Sequence, residues 1–178
     1  IRYGLSAIKN VGTGIIEDLV AEREINGPYK NLFDLCKRIA VRQASLKEKN
    51  GVKRAPLNKR TLESLIMAGA LDHFHGSRAA LHASVDRALE IAHRERLERD
   101  RGLLSLFDTN PASSLAIQED VLEEVEPWSY LELLNKEKEV LGFYLSGHPI
   151  EEYQAELRGF TTCSLAESEI AKQPQGSV

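Results

Sequence analysis

The chain has 178 residues, 42% of them apolar, with a formal net charge of -4, which suits one larger globular domain or two small ones. No apolar run reaches membrane-spanning length, and Cys36 and Cys163 stand far apart without metal-ligand company, so a reduced, cytoplasmic chain is expected. The average charge hides an asymmetry. Residues 1–60 hold 13 Lys/Arg against 6 Asp/Glu, residues 61–178 hold 10 against 21, and 37–60 alone hold 9 basic to 1 acidic. A basic front and an acidic rear point to nucleic acid at one end and a different partner at the other. The chain starts at Ile1 with no basic-then-apolar leader, so it reads as an internal piece of a longer protein.

Ile1-Arg2-Tyr3 reads as the tail of a strand ended by Gly4. From Leu5 to Leu19 two short apolar-periodic segments flank a hairpin, Asn10-Val11-Gly12-Thr13-Gly14. Leu5 and Ile8 mark the first segment, while Ile15 with Leu19 and Ile16 with Val20 stack four apart on the second. Asn10 is the non-glycine type most tolerant of positive φ. The turn leaves backbone N–H groups at the start of the second helix, where they and the helix dipole suit a phosphate oxygen. Gly12 and Gly14 permit close approach, Lys9 adds charge one turn back, and Thr13 lies between the glycines. The competing reading is a helix corner whose glycines only allow close packing.

The second helix is predicted to stop near Arg23 or Glu24, before the Asn26-Gly27-Pro28 turn. Asn31 caps the next helix, with a buried stripe of Leu32, Leu35, Cys36 and Ile39. Residues 42–56 are polar, Lys/Arg-rich and carry a central Asn-Gly, so they read as a basic loop, either a second backbone contact or a solvated insertion. Asn58 caps a helix with Leu62, Leu65 and Ile66, ending at Gly69. Ser77 opens one long helix carrying Leu81, Val85, Ala88, Leu89 and Ala92. Segments 5–24 and 58–92 thus share a helix, glycine turn, helix layout, the second being a degenerate copy with one glycine. A tandem pair buries apolar faces that neither copy buries alone.

Beyond Gly102, Leu103-Leu104-Ser105-Leu106-Phe107 is an apolar island, followed by an acidic, loosely packed run to Glu126. Such an island either docks in a partner's groove, with Leu106 and Phe107 as anchors, or seals the end of the long helix. Ser129 and Glu132 form a capping box for a helix running to Gly142, and a short helix follows over Ile150–Leu157. His73 and His75 beside Asp72 lack a third metal ligand at sensible spacing. No catalytic constellation is visible, and no cofactor is expected in this piece.

Three blocks carry a family resemblance: Tyr3-Gly4-Leu5-Ser6-Ala7-Ile8-Lys9-Asn10-Val11-Gly12; Leu57-Asn58-Lys59-Arg60 through Leu65-Ile66-Met67-Ala68-Gly69-Ala70-Leu71-Asp72; and Glu137 through Pro149, reading Glu-Lys-Glu-Val-Leu-Gly-Phe-Tyr-Leu-Ser-Gly-His-Pro. Together, in this order, they resemble the alpha subunit of bacterial DNA polymerase III, the C-family replicative polymerases. The resemblance implies an all-α fold: a tandem helix-hairpin-helix domain at 1–101, a clamp-binding motif and acidic linker at 102–127, and a helical segment at 128–178 leading to an OB fold. It implies a non-catalytic grip on duplex DNA within a DNA-directed DNA polymerase, with Mg2+ in an upstream palm and other replisome subunits as partners. DNA contacts are then expected at Lys9, Asn10, Gly12, Thr13, Gly14, Lys59 and Arg60. The family usually has Gly where this chain has Asn10. The apolar island falls where the family carries its sliding-clamp motif. Leu104, Ser105, Leu106 and Phe107 match, while Leu103 replaces a glutamine, so the hydrophobic plug stays and one polar anchor goes. A tandem-hairpin DNA-repair or recombination factor, or a pure protein-interaction module, are the other readings.

Overall fold

A computed structural model describes residues 4–50, 56–100 and 120–160, with side chains 47–50, 98, 100 and 158 left aside. The expected strand tail at 1–3 lies outside these residues. Among the described residues the fold is all-α, as expected: α1 (Thr13–Asn26), α2 (Leu32–Asn50), α3 (Lys59–Met67), α4 (Arg78–Ala83), α5 (Val85–Asp100), α6 (Tyr130–Leu141) and α7 (Gln154–Phe160). Short 3-10 turns cover Leu5–Ala7 and Pro149–Tyr153.

The first segment of the leading hairpin is only that 3-10 turn, with Leu5 41% exposed. Three residues cannot bury an apolar stripe, and Ile8 and Val11, just beyond the turn, enter the core instead. α1 outlasts its expected stop and ends at Asn26, with Gly27 at φ 80 turning the chain. The Arg38 guanidinium then receives that end: it donates to the carbonyl oxygens of Glu22 (3.1 Å), Gly27 (2.9 Å) and Pro28 (3.2 Å) and lies 4.4 Å from the Tyr29 ring centre. A cation on the open carbonyls of a helix C-terminus is favoured by the helix dipole.

The expected basic loop is corrected in part, because residues 42–50 continue α2. Gln, Ala, Leu, Lys and Glu are good helix formers, and the first breaker is Gly51. Residues 51–55 lie outside the described residues. The basic side chains of α2 turn toward carboxylates: Lys37 to Asp120 (3.0 Å), Arg38 to Glu22 (3.2 Å), and Arg42 to Glu22 (3.6 Å) and Asp18 (3.8 Å).

Four helices start as read from their caps. Asn31, Asn58, Ser77 and Ser129 each accept an amide hydrogen three residues on. The long helix from Ser77 is corrected to two, α4 and α5, parted at Ser84. The Ser84 hydroxyl donates back to the Ala80 carbonyl (2.8 Å) and accepts the Glu123 N–H (2.8 Å). Back-bonding by serine bends helices, and here the hydroxyl also serves a chain that crosses it.

That crossing chain is the described end of the acidic run, which does not hang free. Asp120 pairs with Lys37, the Val121 carbonyl accepts from Arg87 (3.3 Å), and Leu122 packs on the core. One apolar cluster gathers Ile8, Val11 and Ile15, the α2 stripe, Leu62, Leu65 and Ile66, then Val85, Ala88, Val140 and Leu141. α2 and α5 make the most extensive helix pair. Each large aliphatic side chain in this cluster contributes about 1.5–3 kcal/mol relative to exposure.

A polar node ties α6 to the second hairpin. Glu137 is 0% exposed, and its carboxylate accepts from Arg78 (2.9 Å), from the amides of Leu145 and Ser146 (both 2.9 Å), and from the Ser146 hydroxyl. Burial pushes the Glu137 carboxyl up, but the Ser146, Arg78 and Leu145 hydrogen bonds outweigh it and hold the group below the usual glutamate range. Its contribution is therefore full above the unfolded-state value and is lost as pH falls through the depressed one. Glu137→Leu removes the acceptor of the Leu145 and Ser146 amides and one partner of the half-buried Arg78, which keeps Asp72, and is expected to cost about 1–3 kcal/mol in urea unfolding at neutral pH. The variant should also lose part of the acid-side decline in stability.

Candidate nucleic-acid interface

The leading corner is pinned from inside. Ile8, Val11 and Ile15 are buried, whereas Lys9, Asn10, Gly12 and Thr13 between them are exposed and Gly14 is half-buried. Asn10 has φ 65 and is the sole non-glycine residue with positive φ among the described residues. The left-handed turn expected of it is therefore present. Lys9 is held through its backbone, its N–H donating to the Val140 carbonyl at 3.0 Å, which leaves its side chain at the surface.

The glycines are not packing devices. Gly12 has φ -80 and ψ 149, an ordinary extended conformation, and Gly14 lies inside α1. A Cβ placed on either would meet nothing within 4 Å. Neither positive φ nor a neighbouring helix accounts for them. What they leave is clear space outside the start of α1. Gly12 also supplies no side-chain cap, unlike Asn31, Asn58, Ser77 and Ser129. With no side-chain cap, the partial positive charge of the first turn faces the exposed side of the corner.

Helix α3 brings the other two expected residues to the same corner. The Thr61 hydroxyl donates to the Asn10 carbonyl (3.0 Å), and the Asn10 amide donates to the Ser64 hydroxyl (3.2 Å). Lys59 and Arg60 are exposed at the start of this helix. Lys59 is engaged with Asp86 (2.5 Å) and lies 3.9 Å from Glu63; its hydrogen bond to Asp86 raises its pKa. Exposed pairs of this kind are weak and screened by salt, so Lys59 can exchange Asp86 for another anion. Thr61 and Ser64 are absent from the sequence-based site. Two small hydroxyl residues three apart on the buried face of an amphipathic helix were the available signal.

The second turn is built differently. Gly69 has φ 76, and a Cβ there would collide with the Arg78 guanidinium and the Asp72 carboxylate. Arg78 binds Asp72 through Nε (2.7 Å) and Nη2 (2.6 Å), so this turn already holds an anion of its own. Asp72 is thus committed to Arg78. Among the described residues no three His, Cys, Asp or Glu side chains gather as a metal site. Burial pushes the Cys36 thiol up to about 12, consistent with a packing role. Leu103, Leu104, Ser105, Leu106 and Phe107 lie outside the described residues.

A left-handed corner feeding an uncapped helix, packed on a second helix–turn–helix unit, defines a helix-hairpin-helix module. In agreement, residues 1–81 match the family model described as a helix-hairpin-helix motif. The chain is 37% identical over 172 residues to DNA polymerase III subunit alpha of Xylella fastidiosa (strain 9a5c), covering 97% of this chain and 13% of that protein. It is 36% identical over 175 residues to the subunit of the same name from Vibrio cholerae serotype O1, covering 98% and 14%, and 38% identical over 177 residues to that of Thermus aquaticus, covering 99% and 13%. The chain belongs to the DNA polymerase III alpha-subunit family and spans 13 to 14% of the length of these curated relatives.

Because nothing faces a side chain at Gly14, Gly14→Ala is expected to raise stability by about 0.5–1 kcal/mol through helix propensity and backbone entropy. Chemical denaturation measures this. A loss of stability would mean that the glycine is required by the fold.

Proposed function

We propose that this segment is the duplex-DNA grip of a DNA-directed DNA polymerase of the replicative type, contributing binding rather than catalysis. The observation that carries the reading is the open, uncapped start of α1 beside exposed Lys9, Lys59 and Arg60. One phosphate oxygen is met by backbone amides with no side chain in the way, and the cations attract its neighbours. Such contacts touch the backbone and no base edge, so binding is independent of sequence. A polymerase that advances along DNA needs this kind of hold. In this reading the metal-dependent chemistry, with Mg2+, belongs to an upstream palm. The site of action is the cytoplasm, in company with other replisome subunits.

The second half of the proposal concerns the sliding clamp. Leu103-Leu104-Ser105-Leu106-Phe107 supplies a short plug of apolar side chains for a groove on the clamp, with Leu106 and Phe107 as anchors. DNA held at the corner and a clamp held at the plug act together by effective concentration, so two weak contacts give a long residence on the template.

Gly12→Asp tests the grip. Aspartate is a favoured helix N-cap, so the fold is kept while a carboxylate takes the place of the phosphate. Fluorescence anisotropy with a labelled duplex should show binding by the unsubstituted chain, falling by about 0.9 log unit per log unit of salt for each phosphate neutralised. Gly12→Asp should remove it, and undiminished binding would sink the assignment. For the clamp, Leu106→Ala with Phe107→Ala should abolish binding to immobilised sliding clamp in surface plasmon resonance. Equal binding by the double variant would leave the island without a docking role.

A further inference from the structure

The corner that faces the phosphate is not held by its own hairpin alone. Its key residue, Asn10, is in the left-handed region at φ 65, which asparagine tolerates better than other non-glycine residues but which it does not favour without support. The peptide joining Asn10 to Val11 is fixed at both ends: its carbonyl accepts from the Thr61 hydroxyl at 3.0 Å, and its N–H donates to the Ile8 carbonyl at 3.1 Å. The Asn10 side chain is fixed as well, donating to the Ser64 hydroxyl at 3.2 Å. Both hydroxyls come from α3, more than 50 residues away in sequence, and both residues are buried, Thr61 at 3% exposed and Ser64 at 1%. Thr61 is itself set by the helix cap, since its N–H donates to the Asn58 side chain at 2.9 Å.

We propose that Thr61 and Ser64 are the positioning residues of the DNA grip: they hold Asn10 in its left-handed turn, and so aim the amides at the start of α1, without touching DNA themselves. This rests on the hairpin reading above. α3 thereby has two tasks on one rigid element. Its exposed first turn carries Lys59 and Arg60, and its buried face sets the turn that those cations flank. Preorganisation of this kind acts on affinity by removing the ordering cost of the loop at the moment of binding. It does not alter how many phosphates are neutralised.

That difference separates a positioning role from a contact. Thr61→Val keeps the shape and removes the hydroxyl; Thr61→Ser keeps the hydroxyl and removes the methyl. In anisotropy titrations of the 178-residue chain with a duplex at several salt concentrations, Thr61→Val should weaken binding by about 5- to 10-fold, the scale of one lost hydrogen bond. Its salt slope should equal that of the unsubstituted chain. Thr61→Ser should bind within about twofold of that chain if the hydroxyl is the operative group, and Thr61→Val with Ser64→Ala should be weaker than either single variant. Amide hydrogen exchange without DNA gives a second reading: exchange at Val11, Gly12 and Thr13 should quicken in Thr61→Val while the α2 amides stay unchanged. The proposal is overturned if the double variant binds as tightly as the unsubstituted chain, if Thr61→Ser binds as poorly as Thr61→Val, or if exchange quickens equally in α2. Absence of DNA binding by the unsubstituted chain overturns the hairpin reading along with it, whereas normal binding by the double variant overturns this proposal alone.

Discussion

Much of this structure turns on one guanidinium. Arg78 sits against the Gly69 turn, binds Asp72 through two nitrogens and reaches Glu137 in the interior. A buried carboxylate without such partners is costly, and Glu137 meets its cost with one cation, two backbone amides and a hydroxyl. The node orders the Leu145–Ser146 turn, sets α6 on the core and places the Val140 carbonyl where Lys9 N–H bonds to it. The same arginine closes the second hairpin. Two units of similar layout therefore end in opposite states, one filled by its own ion pair and the other open.

The open unit gains its geometry from the closed one. A hairpin whose first helix is a single 3-10 turn has too little buried surface to hold a strained residue. Its anchor is instead the core packing of Ile8, Val11 and Ile15, together with the hydroxyls of α3. This division of labour matches the different glycines of the two units. Only one needs glycines that face empty space, and the other needs a glycine that admits an arginine. It also accounts for the disposition of charge. Among the described residues, Lys37, Arg38 and Arg42 of the basic front pair inward or with the acidic chain crossing α4 and α5, as with Lys37 and Asp120 or Arg42 and Glu22. Lys9, Lys59 and Arg60 remain exposed around the corner.

Local signals in the sequence were legible where physics is local. The caps at Asn31, Asn58, Ser77 and Ser129 and the glycine stop at Gly142 are each determined within a few residues and appear as read, while the left-handed Asn10, legible from its residue type, draws its hold from α3. The helical continuation through 42–50 was obscured because a basic run resembles a loop by composition while its residues are good helix formers. The break at Ser84 was hidden for another reason: the stripe of Leu81, Val85 and Ala88 continues through it, and the group that stabilises it comes from Glu123, far along the chain. Thr61, Ser64 and Glu137 were missed as a set. Each is a polar residue in an apolar stripe whose partner lies elsewhere in sequence, or across a turn of unknown course.

The central claim is that DNA is met by the amides at the start of α1, with α3 beside them. Backbone amide chemical shifts of the labelled chain, followed by NMR during titration with a short duplex, test it most directly. The account predicts that the largest changes fall on Gly12, Thr13 and Gly14, with smaller ones at Lys59 and Arg60, and little change along α2. Unmoved hairpin amides, with the shifts concentrated instead on Lys30, Lys37 or Arg38, would contradict it.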